Sequence, residues 1–71
     1  MRVAAIGQAE LIQGFGLAGA SLLPAGDAAG ALAAWDALAG DVELLLLTPD
    51  AVAALRHRLE AATLLWVEIP A

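Results

Sequence analysis

The feature that most constrains this chain is a run of four leucines, Leu44–Leu47, followed directly by Thr48 and Pro49. An unbroken apolar run is typical of a strand that is covered on both faces, as in parallel sheets with helices above and below. Thr48 is a favourable N-cap, and Pro49 suits the first helical position because its missing N–H would have no partner there. The sequence therefore predicts a central strand that turns sharply into a helix.

Six further elements are indicated by apolar spacing and by the positions of glycine and proline. Besides the leucine run, the predicted strands are Arg2–Ile6, Ala20–Leu23 and Leu64–Ile69. The first predicted helix is Gln8–Ala18, the second runs from the Asp27 cap to Ala39, and the third runs from Pro49 to about Ala61. Strands that alternate with helices predict a parallel sheet with right-handed crossovers. The expected fold class is α/β, flavodoxin-like or receiver-like: a single βαβαβαβ domain, residues 1–71, with strand order 2-1-3-4 and helices on both faces.

This topology predicts that part of one sheet face lacks a helix. The second and third helices should share one face and the first should lie alone on the other, which leaves the area near strands three and four open. Alternation along the last strand predicts two sets of side chains on opposite faces, Leu64, Trp66 and Glu68 on one and Leu65, Val67 and Ile69 on the other. We expect the aliphatic set under the helices, with Trp66 near the open area and Glu68 at its rim. An exposed apolar patch beside a free edge strand predicts a docking module.

Composition disfavours several classes of partner and site. The chain has 71 residues, a net charge of −5, three arginines, no lysine and no cysteine. Nucleic acids and anionic lipid surfaces are bound through Lys and Arg, so neither is an expected partner. The longest uncharged stretch, Leu11–Gly26, contains four glycines and Pro24, which disfavours a transmembrane helix. With no signal-peptide pattern at the start of the chain, we expect a cytoplasmic location.

Motifs for catalysis or cofactor binding are weak. Gly14–Gly19 has GxGxxG spacing, but it lies inside a helical pattern and not directly after the first strand. At the strand ends where a receiver domain carries its acidic groups, this chain has Gly7–Ala9 and Leu47-Thr48. His57, the single histidine, is expected to be an exposed helix residue. We therefore expect no catalytic activity, no cofactor and no bound metal.

Three segments in register resemble the small F subunit of the V/A-type rotary ATPases. They are Arg2–Gly7 followed by Gly14–Gly19, then Leu45–Val52, and finally Leu65–Pro70. The resemblance covers nearly the whole chain. It implies a non-catalytic central-stalk subunit of a proton- or sodium-translocating ATPase or ATP synthase, peripheral to the membrane and without membrane insertion. The implied partners are the coiled-coil D subunit of the stalk and other subunits of the complex, with no nucleic acid.

The resemblance also bears on the contact residues. Phe15, Leu17 and Glu68 lie on the matching elements, and together with Trp66 they form the predicted partner interface. Two departures are evident: the residues after Gly7 lack the acidic pair common in the family, and the family's C-terminal segment has no counterpart, which predicts a short form. The alternative interpretation is a degenerate receiver-like domain that binds proteins and has no phosphorylation site.

Overall fold

The computed structural model describes residues 2–70 and has the predicted order of strands and helices. The strands are β1 (Arg2–Gly7), β2 (Ser21–Pro24), β3 (Val42–Leu47) and β4 (Leu65–Glu68). The helices are α1 (Ala9–Gly16), α2 (Ala28–Asp36) and α3 (Pro49–Glu60). All strand pairs are parallel and the order is β2-β1-β3-β4. The predicted α/β, flavodoxin-like topology is confirmed.

Helices α2 and α3 begin at the predicted capping residues. The Asp27 carboxylate accepts a hydrogen bond from the Gly30 N–H at 2.7 Å, and the Thr48 hydroxyl accepts one from the Ala51 N–H at 3.4 Å. Each bond satisfies one of the backbone donors that a helix N-terminus leaves unpaired. Thr48 is also fully buried, so its cap lies inside the protein.

Helices α1 and α2 both end earlier than predicted. The chain leaves α1 at Gly16, two residues before the predicted end, and Gly19 has a positive φ, 93°, in the turn that follows. Helix α2 ends at Asp36, where the Leu38 N–H bonds to the Trp35 carbonyl three residues back in a tighter turn. Within residues 2–70, none of the helices combines the length and apolar character needed to cross a bilayer.

The main core lies between the sheet and helices α2 and α3, a side of the sheet that we call the covered side. Its fully buried large side chains are Ile6, Leu45, Leu47 and Leu55. Helix α1 lies on the opposite side, where it packs against β1 and β2. A smaller cluster forms there from Ala5, Ile12 and Ile69. The predicted division, with two helices on one face and one on the other, is confirmed.

An irregularity in β3 decides which side chains face each side. Arg2 pairs with Val42, but the next residue of β1 pairs with Leu44, so Glu43 is an extra residue in β3. Because of this bulge, Val42 and Leu45 both belong to the core on the covered side although they are three residues apart. Leu44 is turned to the side of α1, and Glu43 is exposed.

Candidate functional site

On the side of α1, the part of the sheet formed by β3 and β4 is not overlaid by any helix described here, because α1 packs over β1 and β2. Paired residues of a parallel sheet project to the same face, and Leu44 pairs with Leu65 while Leu46 pairs with Val67. Leu46 packs against the small cluster beneath α1, which fixes the side on which all four residues lie. We call Leu44, Leu46, Leu65 and Val67 the open face.

The side chains of the open face are incompletely buried. Leu65 is 74% exposed and Val67 is 50% exposed, whereas Leu44 and Leu46 are half-buried. Single exposed leucines are common on protein surfaces, but a contiguous aliphatic area marks a site of interaction. The predicted open area near strands three and four is confirmed. The predicted covering of the leucine run on both faces is wrong for the α1 side, since no helix reaches that part of β3 in residues 2–70.

Trp66 and Glu68 lie on the covered side, not beside the open face as predicted. Trp66 pairs with Leu45, and Glu68 pairs with Leu47, and both leucines belong to the core under α2 and α3. Leu64, from the same alternating set, also packs against that core. The predicted alternation along β4 is confirmed, but each of the two sets of side chains lies on the face predicted for the other. The register of β4 with β3, and not the alternation, decides which set the helices cover.

The four predicted interface residues therefore do not form one surface. Phe15 is half-buried against the small cluster under α1, and Leu17 is 95% exposed in the turn after that helix. Trp66 and Glu68 lie across the sheet from both. Sequence reasoning missed the two β4 residues of the open face. No local signal could have revealed them, because alternation is compatible with either assignment of faces until the register with β3 is known.

One flank of α1 extends the apolar area. Gly16 lies against the Leu22 side chain of β2, which identifies the flank of the helix that faces away from β3 and β4. Leu11 and Phe15, one turn apart, occupy the opposite flank and border the open face. The open face is thus a shallow apolar strip with the sheet as its floor and part of α1 as one wall.

Charged side chains are unevenly distributed around the sheet. Helix α3, on the covered side, carries two of the three arginines. The third, Arg2, forms an ion pair with Asp41, with Nε 3.0 Å from Oδ2. Helix α1 carries the exposed Glu10 in its first turn, and Glu43 in the bulge of β3 is also exposed. The arginines of α3 therefore lie across the sheet from the open face.

A second candidate site is a cleft of about 400 Å³ at the carboxyl ends of the strands, between the N-termini of α2 and α3. Gly7 shapes this edge: its φ is 156°, and a Cβ there would collide with the Thr48 side chain, so only glycine allows the loops after β1 and β3 to approach each other. The Gln8 Nε2 donates to Asp50 Oδ2 at 2.9 Å across this gap.

The two carboxylates of the cleft already serve the fold. The carboxylate of Asp50 accepts from Gln8, and that of Asp27 caps α2, while most of the remaining lining is alanine. The Gln8 Oε1 is buried and has no hydrogen-bond partner within residues 2–70.

His57 is exposed, with Nδ1 3.8 Å from Glu60 Oε1 on the same helix. No three His, Cys, Asp or Glu side chains of the described residues converge as metal ligands.

No protein-family model, curated protein or solved structure matches the chain. The resemblance to the rotary-ATPase F subunit therefore depends on the three sequence segments, and the open face depends on the structure. A function for this protein is accordingly inferred from these two observations.

Proposed function

We propose that this chain is a non-catalytic central-stalk subunit of a V/A-type rotary ATPase or ATP synthase, which binds the D subunit and helps to transmit rotation. The observation that carries the proposal is the open face, an aliphatic area of sheet that a neighbouring protein would remove from water. The segments that resemble the family form β1, the end of α1 with the turn that follows it, the turn from β3 into α3, and β4. These elements form or border the open face.

The architecture suits a component that transmits torque. Such a component needs a stiff body and a broad contact, and it needs no reactive group. The covered side supplies stiffness because four of its large side chains, Ile6, Leu45, Leu47 and Leu55, are fully buried, and close-packed interiors are hardly compressible. The open face supplies contact area on the opposite side of the same sheet. One side of the sheet would thus stabilise the fold, and the other side would contact the stalk.

The proposal is tested by co-expression with the D subunit of a V/A-type ATPase, followed by size-exclusion chromatography. We expect a stoichiometric complex that survives dilution. The matched control is an unrelated antiparallel coiled coil of similar length and net charge, which should elute separately. A chain that remains a stable, folded monomer beside the D subunit would contradict the stalk proposal. It would favour the alternative, a receiver-like protein-binding domain that has no phosphorylation site.

A further inference from the structure

We infer that the Gln8 side chain is a strap that ties the start of α1 to the start of α3 across the carboxyl edge of the sheet. The two helices lie on opposite sides of the sheet, and α1 packs against β1 and β2. A bond between their N-termini therefore connects the two sides by a route other than the strands. The inference concerns the folded chain by itself and does not depend on the stalk proposal.

The loops after β1 and β3 bring the two ends of the strap together. The Thr48 N–H donates to the Ile6 carbonyl at 3.2 Å, and Gly7 lies so close to the Thr48 side chain that a Cβ would collide with it. Gln8 follows Gly7 directly, and Asp50 lies in the first turn of α3. The Gln8 Nε2 donates to Asp50 Oδ2 at 2.9 Å, which joins residues 42 positions apart in the sequence.

The residue type at position 8 favours this link over a cap. Gln8 is the N-cap residue of α1, where Ser, Thr, Asp or Asn would accept a hydrogen bond from the first turn of the same helix. The Gln8 side chain makes no such bond. Its amide donates instead to the carboxylate of Asp50, and a carboxylate is a stronger acceptor than a neutral oxygen.

Helix α1 has few other contacts that hold it on the sheet. It is eight residues long, and isolated helices shorter than about 12 residues are marginal in water. Of its eight described residues only Ile12 is buried, and Gly14 in its interior disfavours the helix. Helix α3 is anchored by several buried side chains, among them Leu55 and Leu59. A link between the two therefore restrains α1 through the better anchored helix.

The strap is not fully satisfied, which decides how it has to be tested. The Gln8 Oε1 is buried and has no partner within residues 2–70. An unpaired buried acceptor costs free energy and offsets part of what the Nε2 bond contributes. Substitution of Gln8 alone removes both terms at once. The coupling between Gln8 and Asp50, measured in a double-mutant cycle, isolates the bond.

The bond itself is tested by the side-chain amide signals of the glutamines. The chain has two glutamines, Gln8 and Gln13, and no asparagine, so these signals are few in a proton–nitrogen NMR spectrum. Gln13 is exposed on α1 and is the internal reference. We expect the Gln8 signals to lie apart from those of Gln13 and to move toward them in Asp50→Ala. Asp50→Asn, which retains an acceptor oxygen, should leave the Gln8 signals displaced.

Hydrogen exchange of the α1 amides measures whether the bond restrains the helix. We expect the acceleration of exchange caused by Gln8→Ala to be about threefold or more greater in the parent than in Asp50→Ala, where the bond is already lost. The matched control is Gln13→Ala, at an exposed position of the same helix. Its effect should be the same in both backgrounds.

Far-UV circular dichroism verifies that each variant is folded. Gln8→Met, which keeps the length of the side chain and has no donor, replaces Gln8→Ala in the cycle if the alanine variant does not fold.

Three results would overturn the inference. The first is a Gln8 amide signal that does not respond to Asp50→Ala. The second is an equal effect of Gln8→Ala on the α1 amides in both backgrounds. The third is coupling seen at the amides of β3 but not at those of α1, because α1 would then open while the strap stays closed. Failure of the D subunit to bind contradicts the stalk proposal and leaves the strap unaffected.

Discussion

The two sides of this sheet are formed by the same four strands, yet the large core lies on one side and only a small buried cluster on the other. The covered side has two helices, α2 and α3, each with a side-chain cap, and they enclose fully buried leucines. The other side has one helix of eight residues, without a side-chain cap and with Gly14 in its interior. The fold therefore depends mainly on the covered side, and the open side is free to serve a contact.

This difference follows from topology and not from the polarity of the strands. In the order β2-β1-β3-β4, the two crossovers that connect β2 to β3 and β3 to β4 run on the covered side, and only the crossover from β1 to β2 runs on the other. A single helix spans about two strands. The exposed aliphatic side chains of β3 and β4 are thus a consequence of having four strands and three helices in the described chain.

The largest expected effect comes from comparing two adjacent leucines of β3. Leu45 faces the covered side and is fully buried, whereas Leu46 faces α1 and is half-buried. We expect Leu45→Ala to lower the free energy of unfolding by about 2–5 kcal/mol, because it leaves a cavity in a closed core. We expect Leu46→Ala to cost roughly 1 kcal/mol, since less area is lost from a partly open site.

Urea unfolding monitored by tryptophan fluorescence measures both losses. The control is Leu65→Ala, on the same side as Leu46 but largely exposed, which should change the free energy of unfolding by about 0.5 kcal/mol or less. Similar losses for Leu45→Ala and Leu46→Ala would show that the two sides are equally closed. That result would remove the distinction on which the proposed contact depends.

Much of the fold was predictable because local signals fix it. The Thr48-Pro49 turn and the Asp27 cap specify where α3 and α2 begin, and the glycines mark the ends of α1 and α2 to within two or three residues. Once the alternation of strands and helices is known, right-handed crossovers leave few possible strand orders. The open area near β3 and β4 followed from that order.

The composition of the open face was not predictable in the same way. Which side of β4 meets the helices depends on its register with β3, and on the extra residue Glu43 that turns Val42 and Leu45 to one side. These are relations between segments distant in sequence, and period-two alternation cannot choose between its two phases. For that reason the predicted side of the sheet is wrong for Trp66, and the exposure of Leu65 is not among the predictions.

A smaller effect is expected from the cap of α2. Asp27→Ala removes the carboxylate that accepts from the Gly30 N–H at 2.7 Å, and leaves that donor to water. We expect a loss of about 1 kcal/mol in the free energy of unfolding. Asp27→Asn is the control, since its side-chain oxygen can still accept and should retain most of the stability. If the alanine variant is as stable as the parent, α2 does not depend on its cap, and the contrast with the uncapped α1 loses its energetic basis.

The smallest expected effect is a gain, and it tests whether α1 is the weaker partner. Gly14 lies in the interior of α1, and a Cβ built there meets no atom within 4 Å among the described residues. Gly14→Ala should therefore raise the free energy of unfolding by about 0.5–1 kcal/mol, because alanine has less backbone freedom to lose. Hydrogen exchange of the α1 amides should slow by a matching factor, since the substitution raises the free energy of every opening in which this helix unfolds.

The glycine of α1 that faces β2 provides the contrast for Gly14→Ala. At Gly16 an added Cβ would lie 3.0 Å from the Leu22 Cδ1, so Gly16→Ala should gain less, because Leu22 has to move. Equal gains at both positions would mean that Leu22 adjusts freely and that α1 is loosely seated on β2. Unchanged exchange of the α1 amides in Gly14→Ala would contradict the predicted gain, whereas α1 amides that exchange with the same free energy as the core amides would mean that α1 opens only with the whole domain. In that case the two sides of the sheet unfold as one unit, and the open face is a surface of a rigid body.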